Sequence, residues 1–295
     1  MTRTFAQALA AGPLVLDGGL SNQLADAGHD LSDELWSARL LTDDPAALTT
    51  AHRAYVDAGA QVVITSSYQA SFEGFAERGV AAPEAARLLG ESVALARAAG
   101  PAWVAASVGP YGAVLADGSE YRGRYGLTVG QLVDFHGPRI EALAAAGPDV
   151  LAVETVPDAD EAEAVLRVLA GLGVPAWLSF SVDGERTRAG QPLAEAAALA
   201  AGVPGVLAVG VNCCSPGDAD RAVAVVAAAA GKPVVVYPNS GEDWDAGARD
   251  WRGGSTFVPE RVAQWLADGA RLVGGCCRVG PAEIAALARV VRERT

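Results

Sequence analysis

One pattern constrains this chain more than any other. A short β-rich run, a loop and an Ala/Leu-rich stretch of helical periodicity follow one another along the whole sequence. The β-rich runs are 14–16, 62–65, 103–108, 150–153, 176–181, 206–211, 234–237 and 272–274, eight in all. Several are continuously apolar, as parallel strands covered on both faces must be. The intervening stretches are 45–58, 83–99, 129–146, 159–171, 193–201, 218–230, 259–268 and 281–291. They carry apolar residues on one face, and many have Pro at the start or Gly at the end. Each parallel strand needs a crossover, so eight units in 295 residues predict an α/β fold. The expected form is a single (β/α)8 barrel domain spanning 1–295, with a doubly wound sheet as the alternative. No Ser/Pro-rich or charged tract divides the chain.

Such a barrel needs a large core, and a hydrophobic content of 51% against 19% charged residues supplies it. The formal net charge of −13 leaves no basic stripe to neutralise phosphates, which argues against nucleic acid as a partner. It favours small cations over anions. No apolar run reaches the ~18 residues that a membrane helix requires. Residues 1–12 lack the apolar centre of a signal peptide, so a cytoplasmic location is expected. The cysteines form two doublets, Cys213-Cys214 and Cys276-Cys277. In a long chain of this kind, doublets point to metal or redox chemistry rather than a disulfide framework.

A (β/α)8 barrel places its chemistry just after the C-terminal ends of its strands. The unusual polar residues fall there. Asp17-Gly18-Gly19 follows the first run, and residues 66–72, with Tyr68, Gln69 and Phe72, follow the second. Glu154-Thr155 follows the fourth, Asn212-Cys213-Cys214 the sixth, Pro238-Asn239-Ser240-Gly241 the seventh and Gly275-Cys276-Cys277 the eighth. Phosphate-cradling and Gly-x-Ser-x-Gly motifs are absent. His29, His52 and His136 form no ligand pair and read as surface or packing residues.

Strands six and eight lie two apart around a barrel, so their C-terminal loops can converge on one ion. Sulfur ligands select zinc, Cu(I) or iron–sulfur clusters. Four thiolates would close a structural site, whereas a catalytic zinc keeps three protein ligands and one open position. Adjacent residues on a straight strand face opposite ways. Cys276 and Cys277 therefore share an ion only if the chain turns there, and Gly274-Gly275 is read as giving that freedom. No Gly follows Asn212, so one of Cys213 and Cys214 should point away. Cys213 is favoured as the ligand and Cys214 as a packed thiol. A vicinal-thiol redox protein and a zinc-stabilised binding barrel remain the competing readings.

The motifs Leu16-Asp17-Gly18-Gly19, Glu154-Thr155-Val156-Pro157, Gly210-Val211-Asn212-Cys213, Tyr237-Pro238-Asn239-Ser240-Gly241 and Gly274-Gly275-Cys276-Cys277 occur in that order. Across essentially the whole chain, this resembles the homocysteine S-methyltransferase family. The resemblance implies a (β/α)8 barrel and one catalytic zinc held by Cys213, Cys276 and Cys277. It also implies that Asp17 and Glu154 hold the ammonium of homocysteine and that amides around Gly18 and Gly19 receive its carboxylate. Thr155, Asn212 and Asn239, inside the same motifs, join the substrate-binding set.

The methyl donor is read from the branch. The chain stops soon after Cys277, unlike the betaine-using branch, and lacks the folate and cobalamin modules of the methylcobalamin enzymes. Ser240-Gly241-Glu242-Asp243-Trp244-Asp245 looks like the stand-alone branch that uses S-methylmethionine or S-adenosylmethionine. A sulfonium is also a better leaving group than a quaternary amine. Tyr68, Gln69 and Phe72 are the expected wall of the donor pocket, and Glu242, Asp243 and Asp245 are expected to draw in a cation at its mouth. A free thiol has a pKa near ~8.5 and reacts as its thiolate, so a metal that ionises homocysteine removes the need for a general base.

Overall fold

The computed structural model describes residues 3–29, 39–245 and 250–294, with the side chains of 243–245 and 250–251 outside the description. Eight strands form one sheet: β1 (Leu14–Val15), β2 (Val62–Ile64), β3 (Trp103–Val108), β4 (Val150–Val156), β5 (Ala176–Phe180), β6 (Val206–Asn212), β7 (Val234–Tyr237) and β8 (Ala270–Val273). All neighbours pair in parallel, in the order β1-β8-β7-β6-β5-β4-β3-β2. A bridge between Leu16 and Val62, with the Gln61 N–H on the Val15 carbonyl at 2.8 Å, brings the first and last strands of that order together. The result is the nearly closed α/β barrel that the repeating pattern predicts.

The outer ring is α1 (Pro45–Asp57), α2 (Ala82–Ala98), α3 (Val129–Ala145), α4 (Ala159–Leu169), α5 (Leu193–Ala198), α6 (Pro216–Ala230), α7 (Pro259–Ala267) and α8 (Pro281–Glu293). Local chemistry sets their ends. Asp44 caps α1 by accepting the Ala47 N–H at 3.2 Å, with Pro45 in the first turn where its missing N–H costs nothing. Ser215 and Pro216 start α6 in the same way. Gly231, at φ 61°, ends it by giving its N–H to the Ala227 carbonyl. Among the described residues, no helix is long and apolar enough to cross a membrane.

Side chains alternate along the strands and build two cores. One fills the layer between sheet and helices, from Val15, Val63 and Val104 out to Leu48, Leu88 and Leu287. The other fills the barrel, with Leu16, Val62, Ala105, Val150, Trp177, Val235 and Leu272 facing inward. A short helix, Phe5–Ala11, plugs this inner core where the strands begin. Thr4 and Gln7 form a reciprocal capping box at its start. Phe5 meets Trp103 edge to face at 5.9 Å and Trp177 at 6.4 Å. With that end packed shut, the opposite end is left for chemistry.

One sequence expectation changes here and another is narrowed. β4 runs on through Glu154 and Thr155 instead of ending at 153, and its register with β5 shifts between Val153 and Val156. Of the two readings open for the histidines, surface or packing, burial selects packing for His52 and His136. His52 has no partner at either ring nitrogen among the described residues, and His136 pairs with Glu161 at 2.9 Å.

Candidate active site

A cavity opens at the C-terminal end of the strands. Its lining includes Asp17, Gly18, Gly19, Tyr68, Gln69, Tyr121, Glu154, Thr155, Asn212 and the three cysteines Cys213, Cys276 and Cys277. One wall is sulfur. The Sγ atoms of those cysteines lie within 4.8 Å of one another, and those of Cys213 and Cys277 are 3.9 Å apart. Cys213 takes a left-handed backbone, φ 48°, immediately after β6. A non-glycine residue held there stores strain, a feature that collects at functional sites. The Cys276 N–H donates to the Pro238 carbonyl at 2.8 Å, and the Cys277 N–H donates to Asn239 Oδ1 at 3.1 Å. The seventh loop thus shapes the eighth.

The doublet Gly274-Gly275 does a different job from the one expected. Neither glycine has a positive φ; the left-handed residue is Arg278, at φ 64°. What the glycines provide is room. A Cβ at 274 would lie 2.6 Å from Leu16 Cβ, and one at 275 would lie 2.1 Å from Val279 Cγ1. Cys214 sits among apolar core residues, outside the sulfur cluster, and burial pushes its thiol up. Within the cluster Cys213 is held well below the usual thiol range, because the Cys276 and Cys277 thiols and the Tyr121 hydroxyl hydrogen-bond to it. The same pairing pushes Cys276 and Cys277 up.

The other wall carries two buried carboxylates. Glu154 accepts hydroxyl hydrogen bonds from Ser107 and, at 3.0 Å, from Tyr237. Burial nevertheless raises its pKa to about 7. Asp17 accepts the Ile64 N–H at Oδ2, 2.8 Å away, while its Oδ1 is buried with no partner among the described residues. Its carboxyl is pushed well up, first by burial and then by Glu154. A buried, half-satisfied carboxylate is costly, so this wall suits a cation.

Asn212 supports the bend at Thr155. It accepts the Thr155 N–H and donates to Thr155 Oγ1, both at 2.7 Å, and Thr155 is itself left-handed at φ 60°. The bulge re-aims the end of β4, which is how Glu154 comes to line the cavity. Tyr68 and Gln69 line the cavity too. Behind them the fully buried Arg139 donates to the carbonyls of Tyr68 at 3.0 Å and Gly109 at 3.1 Å. Phe72 is not brought to the cavity; it starts the helix Phe72–Glu77 and packs on the outer core. Asn239 is also outside the lining, its side chain spent on the Cys277 amide. The Gly19 N–H is given to the Val279 carbonyl at 2.9 Å, which leaves Gly18 and the start of the next helix as backbone donors in that segment. Glu242 is engaged by Arg278 at 3.1 Å rather than open to a cation, and the side chains of Asp243 and Asp245 lie outside the described residues.

Sequence reasoning missed Tyr121, Tyr237, Ser107 and Arg188. Tyr237 stood inside a quoted motif, and its hydroxyl bonds Glu154 and Ser179. Tyr121 comes from the long segment after β3, which has no periodicity to read. Its hydroxyl is 3.1 Å from Cys213 Sγ.

Comparison with known proteins agrees with this geometry. A family model described as homocysteine S-methyltransferase matches residues 14–291. Homocysteine S-methyltransferase 4 of Zea mays is 44% identical, covering 96% of this chain and 91% of its own. Homocysteine S-methyltransferase of Escherichia coli (strain K12) is 44% identical over 93% of this chain and 94% of its own. The crystal structure of the homocysteine methyltransferase MmuM from Escherichia coli in its metallated form superposes with a TM-score of 0.86. It is 43% identical, covering 96% of this chain and 98% of that one.

Proposed function

Because the chain belongs to the homocysteine S-methyltransferase family, we propose how this methyltransferase works and which methyl donor it uses. Homocysteine binds with its thiol at the sulfur cluster and its ammonium at the carboxylates. One zinc ion, held by Cys213, Cys276 and Cys277, serves the acceptor. The donor is a sulfonium, S-methylmethionine ahead of S-adenosylmethionine, and the product is methionine. We place the reaction in the cytoplasm, where thiols stay reduced.

The observation that carries this reading is the pairing of walls in one cavity: three sulfurs on one side, and on the other two buried carboxylates with one oxygen, Asp17 Oδ1, that has no partner among the described residues. The sulfur set fits the metal. Tetrahedral zinc with bonds of about 2.3 Å wants its sulfurs roughly 3.8 Å apart, and Cys213 and Cys277 are separated by 3.9 Å. Soft thiolates favour zinc over magnesium or calcium. Cys214, packed in the core, leaves the set at three and a position for substrate.

When bound, zinc supplies the Lewis acidity that keeps a thiol ionised at neutral pH. The chain does the rest. Asp17 and Glu154 take the ammonium and give up the repulsion that burial imposes on them as a pair. Amides from Gly18 onward receive the carboxylate. Tyr68 and Gln69, fixed from behind by Arg139, wall the donor side. Enclosure keeps water out, which favours a step in which a cationic donor and an anionic sulfur become neutral. Alignment of the two sulfurs and the methyl carbon is the barrel's remaining task.

The test is to incubate zinc-loaded protein with homocysteine and S-methylmethionine, S-adenosylmethionine or betaine in turn, and to measure methionine. Turnover is expected with the sulfonium donors, fastest with S-methylmethionine. Turnover with betaine alone would reject the donor and leave the acceptor chemistry standing.

A further inference from the structure

Cys213 is gripped at more points than either of its partners. Its N–H reaches the Tyr237 carbonyl at 3.3 Å, and its carbonyl accepts the Ser181 hydroxyl at 3.2 Å. Its sulfur lies 3.1 Å from the Tyr121 hydroxyl, the one hydroxyl recorded against a thiol of the cluster among the described residues. These contacts join into a ring. Ser181 Oγ, which holds the Cys213 carbonyl, also accepts the Arg188 Nε–H at 3.2 Å. The Arg188 guanidinium in turn lies over the Tyr121 ring, its carbon 5.8 Å from the ring centre. A cation over an aromatic face at that range is attracted by the ring's quadrupole. The ring therefore runs from the Cys213 backbone through Ser181, Arg188 and Tyr121 back to the Cys213 sulfur. It draws on the segments after β3, β5 and β6.

We propose that Tyr121, held in place by Arg188, is a positioning residue that donates a hydrogen bond to the Cys213 thiolate and so fixes and tunes this one ligand of the metal. The inference rests on the three-cysteine zinc reading. A ligand anion that accepts a hydrogen bond is oriented by it and gives less electron density to the metal, and such outer partners support metal affinity. Cys213 needs that help because it sits on a strained, left-handed residue whose side chain could otherwise swing. Cys276 and Cys277 are set instead by their backbone N–H groups, which donate to the Pro238 carbonyl and to Asn239 Oδ1 of the neighbouring seventh loop. The arrangement also explains why Tyr121, 40% exposed as a residue, keeps its hydroxyl turned inward on Cys213.

The experiment uses cobalt as the probe, because its thiolate charge-transfer bands report sulfur electron density independently of turnover. Metal-free full-length protein, wild type and Tyr121→Phe, is titrated with Co2+, and zinc affinity is measured by chelator competition. Phe keeps the ring and its place beside Arg188, so the fold is not challenged. Tyr121→Phe is expected to shift the charge-transfer bands to lower energy and to weaken zinc binding about ten- to a hundred-fold. Arg188→Met is expected to shift both in the same direction by less. Bands and affinity identical to wild type in Tyr121→Phe would overturn the role of Tyr121 and leave the metal site intact. A wild-type protein that binds neither cobalt nor zinc would overturn both.

Discussion

At the end of the barrel where the strands begin, Phe5, Ala8 and Leu9 close over Trp177 and Trp103 in an apolar plug. At the end where the strands finish, two carboxylates and three thiols share a cavity, two of whose lining residues, Thr155 and Cys213, are non-glycine residues in left-handed conformations. The same eight strands carry both. One end gains stability from each group it buries, and the other spends stability to keep ionisable groups ready for a ligand. Substitutions at the two ends should therefore fail in different ways.

The largest contrast is expected at the sulfur wall. Cys213→Ala, Cys276→Ala and Cys277→Ala should each abolish tight zinc binding and methionine formation while unfolding stability changes little. Cys214→Ala should keep both metal and activity. Metal content per chain, with turnover on the same sample, decides it; loss of zinc in Cys214→Ala would instead indicate a closed four-thiolate site. At the plug the pattern reverses. Phe5→Ala should cost roughly 3–5 kcal/mol in denaturant unfolding, as expected for an aromatic removed from a core. The protein that remains folded should keep its KM for homocysteine, and a large KM change would mean that the two ends are coupled.

Glu154→Gln should sharpen the comparison by moving stability and binding in opposite directions. Losing one charged hydrogen bond to the ammonium costs about 1.5–3 kcal/mol, or about ten- to more than a hundred-fold in homocysteine affinity. Without substrate the variant should be the more stable protein at alkaline pH. Glu154 has its pKa raised to about 7 from 4.5, so below that reference value it is protonated whether folded or unfolded and burial costs little. Between 4.5 and about 7 the unfolded chain ionises while the folded protein still holds the proton, so stability falls across that window and the loss is complete above it. In denaturant unfolding Glu154→Gln should be more stable than wild type near pH ~8, by about 1–3 kcal/mol, and equal to it near pH ~4. A variant less stable than wild type at both pH values would show that Ser107 and Tyr237 already compensate the charge.

The strand framework was legible because parallel strands between helices must be apolar on both faces, and the runs at 103–108 and 206–211 could be little else. The loops that carry chemistry were legible because polar residues directly after such runs have few structural reasons to be there. What escaped was geometry without a letter code. Thr155 and Cys213 are left-handed although neither is glycine, so nothing marked the bends that aim Glu154 and the Cys213 sulfur. Gly274 and Gly275 were legible as special but not for which reason, since space and backbone freedom demand the same residue. The plug helix is only seven residues long, too short for periodicity; its Thr4–Gln7 capping pair was the available signal. Tyr121 and Arg188 meet only because the folded barrel brings their segments together.

The close fit between the Asp17–Gly19 segment and the Gly274–Val279 segment also governs when the site can exist. The Gly19 N–H bonds the Val279 carbonyl, the Gly275 N–H bonds the Asp17 carbonyl, and Tyr55 Oη donates to both Gly19 and Val279 carbonyls. Partners so far apart in sequence are among the last to meet, because the loop between them must close before any contact rewards it. During synthesis, both carboxylates leave the ribosome long before two of the three sulfurs. Until β8 docks, Cys213 is a strained thiol without its neighbours. A metal arriving early would find only the Cys213-Cys214 doublet, and the three-sulfur cluster becomes available only as the last seam of the barrel closes.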